Sequence, residues 1–267
     1  MSGSIHLEVV IGAAVLAVAY AAGWRASGQR VQRVRAAAFG AGLASLIAAL
    51  NGPLHDLAEG GVFSAHMAQH LILTLLAPPL LLAGTPSFIA DALLDGWLSR
   101  AATRVPLRAL TRPLVALAAW SIALFVWHLP APYAAALDAH ALHFVQHATL
   151  MGAAVLAWWP VASPSRRLPA LPYAARILYL FVFGMPMTIV AAMITGAEVR
   201  LYPFAHTVWA LTPLEDQRLG GILMWVPAGL VPLAAFTAVF FRWAAAESED
   251  RAEANARDPD HPLAYPP

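Results

Sequence analysis

Apolar residues in this chain run in long blocks instead of alternating with polar ones. Blocks of membrane-spanning length, about 20 residues each, cover roughly 5–24, 34–52, 66–84, 113–130, 140–161, 173–195 and 218–241. They predict an all-α fold: a polytopic membrane bundle of seven transmembrane helices. Pro78, Pro79, Pro186 and Pro227 fall inside blocks, where each predicts a kink and freed carbonyls. Gly220 and Gly221 open the last block as close-packing positions. Between the third and fourth blocks, Ile89, Leu93 and Trp97 recur every four residues, with Asp91, Asp95 and Arg100 around them. That pattern fits either a short helix on the cytoplasmic membrane surface or an amphipathic linker. After Trp243 the chain becomes charged and then proline-rich. The division is thus a membrane domain over 1–243 and a disordered cytoplasmic tail over 244–267.

Charge orients the bundle. All sixteen basic residues are arginine, and all but Arg200 and Arg218 lie in the odd-numbered connections or after the last block. The positive-inside rule makes that side cytoplasmic, so the amino terminus is outside and the carboxyl terminus inside. MSGSIHLE lacks a positive stretch before the first block, which argues against a cleavable signal. With 60% hydrophobic and 12% charged residues, the chain has too little polar surface to cover a soluble globule. A net charge of +1 suggests no nucleic-acid partner. The absence of cysteine excludes disulfides and thiolate metal sites. No carboxylate interrupts the middle of a block, as a proton-coupled pump would require.

Histidine is distributed in the opposite sense to arginine. His6, His55, His66, His70, His128, His140, His143, His147 and His206 all fall at outer ends or in outer connections, and only His261 lies inside. His6, His55 and His206 fit ordinary surface loops. His70 and His147 lie inside apolar runs, where an unpaired polar group is costly and usually functional. Two blocks begin with an H-x-x-x-H pair, His66 with His70 and His143 with His147, and His140 precedes the second pair by three residues. At about 100° per residue these spacings give one narrow stripe on each helix. Imidazoles one turn apart can share a metal ion. Hydrogen bonding between helices, with Gln69 and Gln146 as partners, is the structural alternative.

Imidazole without thiolate suits copper, zinc, iron or nickel, and thioether support from Met67 or Met151 would favour Cu(I); methionine as core filler is the plainer reading. Ser64 and Asp138 are candidate N-caps for the two helices. His128, before Pro130, either completes a site or caps a helix. Asp216 either orients a ligating histidine or is a solvated loop carboxylate.

At HMAQHLILTLLAPPLLLAGTP (66–86), WHLPAPY (127–133), the run from His140 through ALHFVQH to WWP at Trp158–Pro160, and DQRLGGILMW (216–225), the chain resembles the CtaG-type cytochrome c oxidase assembly factors, a multi-spanning membrane family. The resemblance runs from about His66 to Trp225. It implies a non-enzymatic protein of the bacterial cytoplasmic (inner) membrane that serves maturation of a terminal oxidase, with copper supply as the associated role. It implies oxidase subunits as partners, together with a periplasmic copper donor. Carried over by position, His66, His70, His128, His143, His147 and Asp216 match the family's polar positions. Three competing readings remain at this point: a histidine-box di-iron oxidase or hydroxylase, a metal-free assembly scaffold, and a haem protein with His70 and His147 as axial ligands.

Overall fold

The computed structural model describes residues 5–204 and 206–257. His261 and the rest of 258–267 lie outside the described residues. The elements in order are α1 Leu7–Ser27, α2 Arg33–Leu50, α3 Gly52–Glu59, α4 Phe63–Leu71, a π-helical stretch Ile72–Leu76, α5 Ala77–Gly84, α6 Ser87–Leu98, α7 Ala101–Leu110, α8 Pro113–Trp127, α9 Pro130–Asp138, α10 His140–Ala162, α11 Tyr173–Phe183, α12 Met185–Gly196 and α13 Pro213–Arg257. Among the described residues there is no strand, only an isolated bridge between Val62 and His206.

The protein is an all-helical, multi-pass membrane bundle. Among the described residues, six helical stretches are long and apolar enough to cross a membrane. The bent pair Thr103–Leu110 and Pro113–Trp127, at 77°, supplies a seventh when counted as one span. The fourth span is shorter than its sequence block. It stops at Trp127, and Pro130 starts a separate helix. The second span outruns its block. Asn51 turns extended, Gly52 takes a φ of +70°, and α3 then carries the helical stretch on to Glu59.

The third span passes through the centre of the molecule and contains its main irregularity. Ala77 N–H bonds to Ile72 O, five residues back, which defines a π-turn. Thr74 O lacks a donor in either helical register, because residues 78 and 79 are both proline and have no N–H. The buried Trp158 indole of α10 donates to that carbonyl at 3.0 Å, so one helix satisfies the other's defect. Trp158→Phe would leave Thr74 O orphaned, at a cost of about 1–3 kcal/mol. A lowered midpoint of unfolding in mixed micelles, with helix content unchanged, is the expected result.

The sixth span breaks at Gly184, with Pro186 opening its second half. Gly220 and Gly221 are close-packing positions. A Cβ on Gly220 would come within 2.4 Å of Phe63, and one on Gly221 within 2.3 Å of Thr195. α13 starts with a reciprocal capping box: Thr212 N–H donates to Glu215 and Glu215 N–H to Thr212 Oγ1. It then runs unbroken through Pro227 and Pro232 to Arg257. The disorder expected from residue 244 is therefore replaced by helix as far as Arg257. Glu247–Arg251 and Glu253–Arg257 pair four residues apart, a spacing that supports helix where charge content alone suggested a tail.

The amphipathic segment after the third span is a helix, α6, but its apolar stripe is divided. Ile89 is buried and so close to α1 that a Cβ on Gly23 would meet it at 2.8 Å. Leu93 and Trp97 are exposed. Asp91 accepts from Ser165 Oγ and from the amides of Arg166 and Arg167, while Arg167 pairs with Asp95, so α6 is fastened to the connection after α10.

Candidate metal centre

α10 packs along the π-helical stretch and α5 of the third span, and at its amino-terminal end the histidine rings of α4 and α10 meet in one cluster. The His66 and His70 rings are 4.3 Å apart along α4, and those of His143 and His147 are 4.4 Å apart along α10. Across the interface His66 stacks on His143 at 5.2 Å, and His70 meets His147 edge-on at 5.0 Å. One ring nitrogen from each of His66, His70 and His147 lies within 4.8 Å of the others, a spacing that fits a single ion. His128, the residue after α8, brings its ring to 5.8 Å from His70. His143 flanks the trio, while His140 is exposed and only lines the adjoining cleft.

The surroundings fit a cation-binding role for the trio. His66 and His70 are 0% and 4% exposed. Among the described residues, neither nitrogen of either ring has a hydrogen-bond partner, and His147 Nε2 has none. Neither glutamine bonds to the paired histidines among the described residues. Gln69 donates to Ala49 O and to His55 Nδ1, and both side-chain polar atoms of Gln146 are buried without a partner among the described residues. His128 Nδ1 lies 2.7 Å from Leu124 O. A carbonyl only accepts, so Nδ1 carries the proton and Nε2 keeps a bare lone pair. The Tyr133 and Phe204 rings lie 5.3 Å and 6.1 Å from His66, with Phe63 and Tyr202 packed against them. Burial, with Tyr202 and Asp216 adding to it, pushes the Tyr133 phenol well above its ordinary range, so its hydroxyl is a neutral donor and not an anionic ligand.

Asp216 takes neither role suggested by the sequence. It is 1% exposed and bonds to the start of α4 instead of to a histidine. Its carboxylate accepts from Phe63 N–H at 2.8 Å, Ser64 N–H at 3.3 Å and Ser64 Oγ at 2.5 Å. These are orphan donors of the first turn, and a carboxylate there also opposes the helix dipole. The cap of α4 thus comes from the start of α13. Ser64 is therefore a donor to that cap instead of the N-cap itself. Asp138 ends α9 and does not cap α10, whose preceding residue, Ala139, has no side chain to offer. Met67 is fully buried in the apolar core, where it packs toward Gly220. Met151 lines the cleft near His147 and packs on the cluster containing Leu73.

Three residues were missed from sequence. Tyr133 sits inside WHLPAPY, where its aromatic character alone gave no sign of contact with His66. His55 reads as a loop residue but is 6% exposed, and Glu59 lies 3.3 Å from its Nε2. Their four-residue spacing beside a proline-started turn was the available signal.

A family model described as cytochrome c oxidase caa3 assembly factor (Caa3_CtaG) matches residues 18–246. Two curated relatives, an uncharacterized protein of Mycobacterium bovis and one of Mycobacterium tuberculosis, are each 26% identical over 276 residues. The match covers 95% of this chain and 41% of theirs, so the chain spans less than half the length of these relatives. No solved structure matches the chain.

Proposed function

We propose that this chain, which belongs to the family of caa3-type cytochrome c oxidase assembly factors, holds copper at His66, His70 and His147 and releases it to an oxidase subunit. The carrying observation is the convergence of three imidazoles from two helices, at least two of them buried, with ring nitrogens left unpaired among the described residues. Neutral imidazole is the form that ligates metal, and an all-nitrogen donor set suits copper. His128 offers a fourth nitrogen and His143 an exchange partner toward the cleft. The aromatic wall excludes water from one side. The arginine distribution supports an orientation in the bacterial cytoplasmic membrane with this cluster toward the outer compartment, where a periplasmic donor would load it. On this reading the protein is a carrier and not an enzyme.

The test is metal analysis of the full chain purified in mild detergent, beside a His70→Ala/His147→Ala variant. Copper bound by the first and lost by the second is the expected outcome. Equal copper in both ends the reading, and iron in place of copper with oxygen-dependent turnover would replace it with the di-iron alternative. The same variant in a deletion strain separates carrier from scaffold. A scaffold restores oxidase activity without its histidines, whereas a carrier does not.

A further inference from the structure

We propose a second cation site, formed by His6, His55 and Glu59 at the mouth of the cleft beside the histidine cluster. One ligand atom from each of the three lies within 4.8 Å of the others. None of them belongs to the copper trio, and the site stands on its own geometry. Only its role as a loading station rests on the copper reading.

Each group is held in place by a separate contact. His6 N–H donates to Asn51 Oδ1 at 2.6 Å, which fixes the start of α1 against the turn between α2 and α3. Gln69, one residue before His70, donates to His55 Nδ1 at 2.8 Å and so orients that ring from α4. Glu59 is one turn beyond His55 on α3. The His6 and His55 rings meet edge-on at 4.2 Å.

The bland reading is a surface ion pair between His55 and Glu59, and the geometry argues against it. The 3.3 Å approach of His55 Nε2 to Glu59 lacks hydrogen-bond alignment. Both His55 Nε2 and His6 Nε2 are buried with no hydrogen-bond partner among the described residues. Two imidazoles and a carboxylate form a mixed nitrogen and oxygen set of borderline hardness, suited to a divalent ion. With Gln69 donating to Nδ1, the neutral His55 ring carries its proton on Nε2, so cation binding at Nε2 moves that proton to Nδ1 and breaks the Gln69 bond.

The site communicates with the inner cluster through space and through one shared neighbour. A cleft of about 140 Å³ is lined by His6, His55, Glu59, His140, His143 and His147. This is room for an ion with a few waters, at about 30 Å³ each. Glu59 lies 4.0 Å from His143 Nδ1, and His143 stacks on His66. An ion held at the mouth is therefore one ligand exchange from His143 and two from the trio.

Copper(II) titration of the full chain in lipid nanodiscs, against a chromophoric chelator, tests this. The wild type is expected to bind two equivalents. His55→Ala/Glu59→Gln and His70→Ala/His147→Ala should each bind one, and the combined variant none. Glu59→Gln alone, at a half-exposed position that tolerates the change, should weaken one equivalent by about 10–100-fold. If the wild type and His55→Ala/Glu59→Gln bind the same number of ions, the outer site is overturned. A single equivalent lost only with His70 and His147 overturns the outer site and leaves the proposed function standing. A single equivalent lost only with His55 and Glu59 does the reverse.

Discussion

Asp216→Ala should lower the stability of the bundle by about 3 kcal/mol or more, since each buried donor left unpaired costs about 1–3 kcal/mol and three are released together. The released groups are the amides of Phe63 and Ser64 and the Ser64 hydroxyl. Phe63, Ser64 and Asp216 are all buried, so the released groups have no direct contact with solvent. The loss falls on the first turn of the helix bearing His66 and His70, so copper retention should drop with stability. Ser64→Ala removes a single donor and should cost about 1 kcal/mol. Unfolding titrations in mixed micelles, with bound copper measured on the same samples, provide the check. If Asp216→Ala stays within about 1 kcal/mol of the wild type, the cap is not a structural latch.

Gly84→Leu should prevent accumulation of folded protein. A Cβ at this position would lie 2.4 Å from the Phe39 amide nitrogen and 2.7 Å from its Cα. Both are backbone atoms, which cannot swing aside as a side-chain tip would. The converse contact, Gly42 against Leu81, is nearly as tight at 2.8 Å. α2 and α5 are thus in direct backbone approach, the arrangement that small residues permit between membrane helices. Overpacking costs about 1–3 kcal/mol where side chains can yield, so Gly84→Ala should already reach the upper end and Gly84→Leu exceed it. Fluorescence-detected size exclusion of tagged variants would show a monodisperse peak for the wild type and its loss for Gly84→Leu. Retention of that peak would contradict the close approach.

The features legible in sequence were those set by composition and by spacing along a single element. Block length gave the spans, because the bilayer fixes how many apolar residues a helix needs. The H-x-x-x-H spacing gave two stripes, because the helical repeat is invariant. Spatial pairing between elements was less legible. That His66 stacks on His143 depends on how α4 and α10 abut, and nothing local encodes it. Asp216 was misread for the same reason. It is an ordinary helix-start carboxylate by position, and only its burial against Phe63 and Ser64 shows that it caps a different helix. The end of the long last helix is not legible in charge content, because only the four-residue spacing of Glu247 with Arg251 and Glu253 with Arg257 favours helix there. The burial of His55 is not legible either, because a short proline-started helix after Gly52 has no apolar periodicity to flag it.

The carboxylate that caps α4 lies 153 residues downstream of the Phe63 amide it receives, and this separation has a consequence for biogenesis. While the polypeptide is still leaving the ribosome, the segment bearing His66 and His70 has its opening amides unsatisfied until α13 is inserted. A nascent chain arrested before Pro213 has both histidine-bearing helices but lacks the carboxylate that caps the first of them. On the proposed reading, competence for metal therefore waits for the insertion of α13.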